Sequence, residues 1–147
     1  MGCGMAAQTS AEPVIKGDAY VIDGDSLKLS GTEIRLFGVD AFEYKQNCGR
    51  FACGRVAART LQDLVKSGPV SCQPKDHDKY GRTVAQCFDK DGHDLGKIMV
   101  QKGLAVAYRH FSPAYIADEE AAHQKKTGAW AYPFISPYDY RRKEKAK

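Results

Sequence analysis

The chain predicts an α+β fold, mainly β with a minority of helix, and three observations carry that class. Apolar and polar residues alternate with a period of two through much of the first half. Apolar residues then recur at helical spacing at Val56, Ala57, Leu61, Leu64 and Val65. Two further strand-like runs follow, one on each side of a polar loop at 75–82.

Taken in order, a first strand over 14–22 ends in the apolar run Ala19-Tyr20-Val21-Ile22. Asp23-Gly24-Asp25-Ser26 interrupts it with turn-forming residues. A second strand over 26–30 alternates Leu27 and Leu29 with Ser26, Lys28 and Ser30, and Ser30-Gly31 turns the chain into a third over 33–39. A helix beginning near Arg50 or Gly54 and running to Lys66 is stopped by Ser67-Gly68-Pro69. Val70 to Pro74 and Thr83 to Phe88 make the fourth and fifth strands. Asp94 caps a short helix that ends at Gly103, Leu104 to Tyr108 is extended or buried, and a third helix spans 113–127 with Gly128 beyond it. Five short strands with a helix after the third is the order of an OB-type, five-stranded Greek-key barrel, here with three helices.

Composition bounds the function. The 147 residues are 43% hydrophobic and 27% charged, ordinary globular usage that excludes a collagen-like, coiled-coil or wholly disordered chain. No apolar run exceeds five or six residues, whereas a bilayer-spanning helix needs about 20. The formal net charge of +4 resides in the last seven residues, and positions 1–140 are balanced. Nucleic-acid binding therefore cannot be argued from overall charge. We read 1–13 as a flexible leader, 14–135 as one domain and 136–147 as a basic tail. That tail is either a solvated terminus or a dock for membrane or DNA.

Five cysteines are present. Without a C-x-x-C pair or histidines at ligand spacing, zinc is not expected. Cys72 and Cys87 flank the last hairpin symmetrically, and Cys48 and Cys53 can close a small loop. These pairings leave Cys3 over and imply an oxidising, extracytoplasmic compartment; the alternative is five reduced thiols. The start Met1-Gly2-Cys3 resembles an acylated, membrane-anchored one, although Ala6 stands where that motif requires Ser or Thr.

Three polar clusters fall where core-building residues would not: Asp23-Gly24-Asp25-Ser26; Arg35 with Asp40 and Glu43; and Asp78-Lys79-Tyr80-Gly81-Arg82. Asp25 and Asp40 are hard oxygen donors whose mutual repulsion a Ca²⁺ or Mg²⁺ ion relieves. Arg35 and Arg82 offer bidentate donors for phosphate, and Glu43 is a carboxylate able to position or deprotonate water. Together they form a set suited to phosphodiester hydrolysis. Taken singly, each has an ordinary structural explanation as turn, solvated strand residue or hairpin tip. Arg35 and Asp40 are five positions apart, on opposite faces of an unbroken strand. The strand must therefore bulge or end between them, and Gly38 is the natural place. His77, His93, His110 and His123 receive no catalytic role, and Trp130 reads as a core anchor.

The stretches Val21 to Ser26, Ile34 to Glu43 and Asp78 to Arg82, followed by Gly103-Leu104-Ala105 and Gly128-Ala129-Trp130, resemble the thermonuclease family, also called staphylococcal or micrococcal nuclease-like. The similarity covers about residues 14–132. It implies an OB-fold, calcium-dependent nuclease cleaving single- and double-stranded DNA and RNA to 3′-phosphate and 5′-hydroxyl ends, and we expect a monomer. It further implies that Asp25, Asp40 and the backbone carbonyl of Ala41 bind one Ca²⁺, that Glu43 acts on the attacking water, and that Arg35 and Arg82 hold the scissile phosphate. Lys79, Tyr80 and Tyr108 would line the nucleotide pocket. The chain departs from the family in having Phe42 where proline is usual in the loop that aims Glu43, Ser26 for threonine, and a shorter loop before Asp78. A non-catalytic OB-type module that binds nucleic acid or protein is the competing reading.

Overall fold

A computed structural model describes residues 12–147; the expected leader and its acylation motif, with Cys3, lie largely or wholly outside the described residues. The elements are β1 (Ile15–Gly17), β2 (Ala19–Asp23), β3 (Ser26–Leu29), β4 (Thr32–Leu36), β5 (Val39–Ala41), α1 (Cys53–Val65), β6 (Val70–His77), β7 (Thr83–Phe88), α2 (Leu95–Gln101), β8 (Ala105–Ala107), α3 (Ile116–Gln124) and α4 (Pro137–Lys145). Six strands form a mixed sheet in the order β1-β6-β7-β4-β3-β2, while β5 and β8 pair separately. Only the β4–β7 contact is parallel within that sheet. The sheet curls into a half-barrel, and the hydroxyl of Ser30, just past β3, donates to the Lys16 carbonyl on β1 at 3.1 Å.

This is the α+β, OB-like architecture that the element order predicts, with four α-helices rather than three among the described residues. The expected strand at 14–22 is divided near Asp18. The strand at 33–39 is divided as its geometry demanded: β4 stops at Leu36, Gly38 takes φ +76°, and β5 restarts at Val39. That left-handed turn favours glycine, and a side chain there would also press on the Tyr115 ring.

The core lies inside the curl. Leu27, Leu29, Ile34 and Leu36 from the hairpin meet Leu61 of α1 and Leu95, Met99 and Val100 of α2, all nearly or fully buried. Helix α1 has no side-chain cap. The Cys48–Cys53 disulfide instead ties its first residue to the preceding loop, and Cys72–Cys87 joins directly opposed residues of β6 and β7. Both bonds match the pairings expected from sequence. Trp130 stacks on His123 at 4.3 Å and meets Phe134 edge-on at 5.0 Å, packing the end of α3 against the segment beyond it.

The residues read as a basic tail instead include helix α4. Ser136 caps it by accepting from the Asp139 N–H, Pro137 occupies its first turn, and its basic residues cluster in the last turn. A charge run at a chain end suggests solvation because sequence offers no sign of its partner; here Arg141 has one.

Candidate active site

An open cleft of about 820 Å³ lies above the β2–β3 turn, between the β6–β7 tip and α4. Asp25 enters from the β2–β3 turn, Arg35 from β4, and Asp40 from β5. Breaking the strand at Gly38 turns Arg35 and Asp40 to one side, and the Arg35 Nη2 lies 3.5 Å from Asp40 Oδ1. Its Nη1 donates to Asp25 Oδ2 at 3.1 Å and Nη2 to the Val39 carbonyl at 3.2 Å. Asp25 Oδ2 also accepts the Ala41 N–H at 2.8 Å, which fixes that backbone beside it. Both aspartates are almost fully buried.

Glu43 stands at the edge of this floor. Its N–H donates to the buried Gln46 side chain at 3.2 Å, and Gln46 Nε2 donates in turn to the Ile135 carbonyl at 2.9 Å. Gly54, in the first turn of α1, lets the Glu43 carbonyl approach so closely that any Cβ there would collide with it. Phe42, where the resemblance leads one to expect proline, is buried and packs edge-on against Phe134 at 5.1 Å. The loop is thus steadied by the segment before α4.

Arg141 of α4 completes the floor. It grips Asp40 with two nitrogens, at 2.9 and 3.0 Å, and Glu43 Oε1 with one, at 2.9 Å. Burial works against its charge, but the bonds to Asp40 and Glu43 prevail and hold its pKa above the ordinary arginine value. Sequence reasoning passed over this residue. Its one local signal is an arginine pair on a capped helix, and its partners lie about a hundred positions away.

Arg82, Lys79 and Tyr80 reach the cleft from the β6–β7 tip. Asp78 organises that tip by accepting from the Tyr80 and Arg82 N–H groups at 3.0 and 2.9 Å and from Arg82 Nε at 2.7 Å. Burial pushes the Asp78 carboxyl up, but these bonds outweigh it and keep its pKa below the usual aspartate value. Tyr108 lies beside Arg35, whose guanidinium carbon is 5.7 Å from the ring centroid. Of the nine residues expected at the site, Asp25, Arg35, Glu43, Lys79, Tyr80, Arg82 and Tyr108 line one cleft. Asp40 and Ala41 lie in its buried floor.

The floor suits a hard divalent cation. Asp23, Asp25, Asp40 and Glu43 crowd together against the guanidinium groups of Arg35 and Arg141. Burial first, then repulsion from Asp25 and Glu43, pushes the Asp23 carboxyl up to about 7. Asp25 is raised chiefly by burial, with Arg35 opposing and Asp40 adding to the shift. The bonds to Arg35 and the Ala41 N–H both fall on Asp25 Oδ2, and Arg141 takes one oxygen of Glu43 but both oxygens of Asp40, so a cation held by Asp40 must share those oxygens with the guanidinium or displace it. All-oxygen donors with surplus negative charge match Ca²⁺ or Mg²⁺. A separate trio, Asp89, Asp91 and His93, has donor atoms within 4.8 Å of one another. There, however, Asp89 ties its own turn by accepting from the Asp91 and His93 N–H groups, and the trio lies away from the cleft.

A family model described as staphylococcal nuclease homologue matches residues 33–132. The chain belongs to that family. Among its curated relatives, a succinoglycan biosynthesis protein ExoI of Rhizobium meliloti is 34% identical over 82% of this chain and 66% of its own length. An uncharacterized endonuclease of Haemophilus influenzae is 36% identical over 73% and 58%. A micrococcal nuclease of Shigella flexneri is 31% identical over 64% and 62%. The chain thus spans about three-fifths to two-thirds of the length of these family relatives. The family match ends at residue 132, before Phe134, Ile135 and α4.

Proposed function

We propose that this chain is a Ca²⁺-dependent nuclease that hydrolyses DNA and RNA, single- or double-stranded, to 3′-phosphate and 5′-hydroxyl products. The observation that carries this reading is the meeting of Asp25, Asp40, Glu43 and Arg35 around one acidic floor, with Arg82 reaching the same cleft. Asp25, Asp40 and the Ala41 carbonyl are the groups that would hold the ion. When bound, the ion supplies positive charge against the phosphate oxygens and lowers the barrier to attack.

The chain's own groups do the rest. Glu43 is held through Oε1 by Arg141, and its second oxygen, Oε2, is the one to accept a proton from water. That water's oxygen bonds to phosphorus as the bond from phosphorus to the 5′-oxygen breaks; the departing oxygen takes a proton from solvent and Glu43 later returns its own there, leaving a phosphate on the 3′ side and a hydroxyl on the 5′ side. Arg35 and Arg82 offer guanidinium N–H groups to the oxygens on which charge accumulates. Tyr108, Tyr80 and Lys79 flank the bound nucleotide. Every group in the scheme comes from one chain, so a monomer suffices. The two disulfides support action in an oxidising, extracytoplasmic setting. Among the described residues, no helix is long and apolar enough to cross a membrane.

Digestion of plasmid DNA and of RNA with Ca²⁺, Mg²⁺ or chelator, followed by end-group analysis, tests the reading. We expect Ca²⁺-dependent cleavage, abolished by chelator, with 3′-phosphate ends. Tight oligonucleotide binding without hydrolysis in Ca²⁺ or Mg²⁺ would instead identify a non-catalytic binding module.

A further inference from the structure

Helix α4 carries more positive charge than the floor requires. Tyr138, Arg141, Arg142 and Lys145 stand at positions i, i+3, i+4 and i+7 of the helix, which is one face, and all four line the cleft. Its two acids, Asp139 and Glu144, fall off that face. Arg141 is committed to Asp40 and Glu43 and bolts the helix in place. Tyr138 remains 52% exposed, with the Arg142 guanidinium carbon 5.8 Å from its ring.

The opposite wall repeats this chemistry. Tyr80 is 69% exposed, with Lys79 Nζ 5.3 Å and the Arg82 guanidinium carbon 5.8 Å from its ring. An acidic floor repels a polyanion, so a strand crossing it must be held from the sides. Each wall pairs cations for phosphates with an open aromatic face for a base. Bases stacked within a duplex do not present their faces, whereas unpaired bases do.

We propose that α4 is the second wall of the substrate channel and binds one flank of a single-stranded nucleic acid, with Tyr138 stacking on a base and Arg142 and Lys145 pairing with neighbouring phosphates. This rests on the nuclease reading and adds to it a subsite beyond the scissile phosphate.

Fluorescence anisotropy of a labelled oligothymidylate of about eight nucleotides, within the usual span of such sites, tests it. A dinucleotide serves as the short control, and chelator prevents cleavage. Arg142→Ala/Lys145→Ala should lower the slope of log affinity against log salt by about 1.4, or roughly 0.7 for each single-strand phosphate contact. Tyr138→Ala should weaken the longer oligonucleotide about 5- to 150-fold and leave both the dinucleotide and polyphosphate unaffected. All three residues lie at the cleft surface and Arg141 is kept, so circular dichroism and melting should not change. Variants that match the wild type in slope and affinity overturn the proposal. So does an equal loss by Tyr138→Ala toward polyphosphate, or toward a duplex of the same length. A wild-type protein that cleaves in Ca²⁺ while the variants bind normally removes only the α4 subsite. One that neither binds nor cleaves removes the nuclease reading and the subsite together.

Discussion

The acidic floor of the cleft and the β6–β7 tip are held in opposite ways. The tip is made locally: Asp78 gathers two N–H groups and the Arg82 side chain from within four residues of itself. The floor is made from afar. Asp25 meets Arg35 ten positions on, Asp40 meets Arg141 across 101 positions, and Gln46 meets Ile135 across 89. Asp25 and Asp40 are nearly buried, whereas Tyr80 at the tip is mostly exposed. A device closed within five residues can lose a group with little effect on the rest of the fold. A buried charge cluster assembled over long range cannot, because each group removed leaves another without its partner. The cleft thus joins an adaptable basic edge to a floor that is also part of the protein's stability.

The sharpest way to break the comparison is to delete one arginine from each region. Arg35→Ala and Arg82→Ala should each lower kcat by about 10²- to 10³-fold, the range for losing one donor to a developing oxyanion. They should part company in stability. Arg35 is part-buried but serves two almost fully buried aspartates, so its loss should destabilise folding by roughly 3 kcal/mol, at the lower end of the cost of breaking a buried ion pair. Arg82→Ala should stay within about 1 kcal/mol. Steady-state kinetics on DNA and chemical denaturation of the same preparations measure both. Equal destabilisation would erase the distinction between floor and tip, and an Arg82→Ala protein with unchanged turnover would sink the assigned mechanism.

A smaller effect tests whether the C-terminal segment belongs to the floor. Arg141→Ala frees Glu43 Oε1 and one face of Asp40. Because misplacing a catalytic group by about 1 Å costs up to about 100-fold, kcat should fall by about 10- to 100-fold with KM nearly constant. Arg141→Lys should recover part of the loss, since a single ammonium reaches one carboxylate but cannot clamp Asp40 with two nitrogens. If KM rises instead while kcat holds, Arg141 is a substrate contact rather than the residue that positions Glu43.

The division between floor and tip also separates what could be read in the sequence from what could not. The tip was legible because Asp78, Tyr80 and Arg82 lie within one short motif and satisfy one another. The hairpin of β2, β3 and β4 was legible from alternation, as was the need to end a strand near Gly38, since Arg35 and Asp40 could not otherwise share a side. The role of residues 134–141 was not. A basic run at a chain end has the composition of a solvated tail, and nothing local reveals that the first of its two arginines is Asp40's partner. Phe42 poses the same problem from the other end. Its departure from proline suggests a looser Glu43 loop until Phe134, far along the chain and beyond α3, is seen against its ring.

The finest test lies within the tip. Asp78→Asn keeps one acceptor for the Tyr80 and Arg82 N–H groups but removes the charge facing Arg82 Nε. Activity should fall only about 3- to 10-fold, the equivalent of about 1 kcal/mol for one weakened charged hydrogen bond. The pH dependence gives a second readout. The folded Asp78 carboxyl titrates below its ordinary value. Its stabilising contribution is therefore complete above the unfolded aspartate pKa near 3.9 and fades as pH falls through the lower folded value. Asp78→Asn should lower stability slightly across the neutral region and flatten that part of the acid-unfolding curve, so that the two curves converge at low pH. An acid limb identical in the two proteins would mean that Arg82 is oriented by the backbone of the tip alone, and the ion pair between Asp78 and Arg82 would add nothing to the local device.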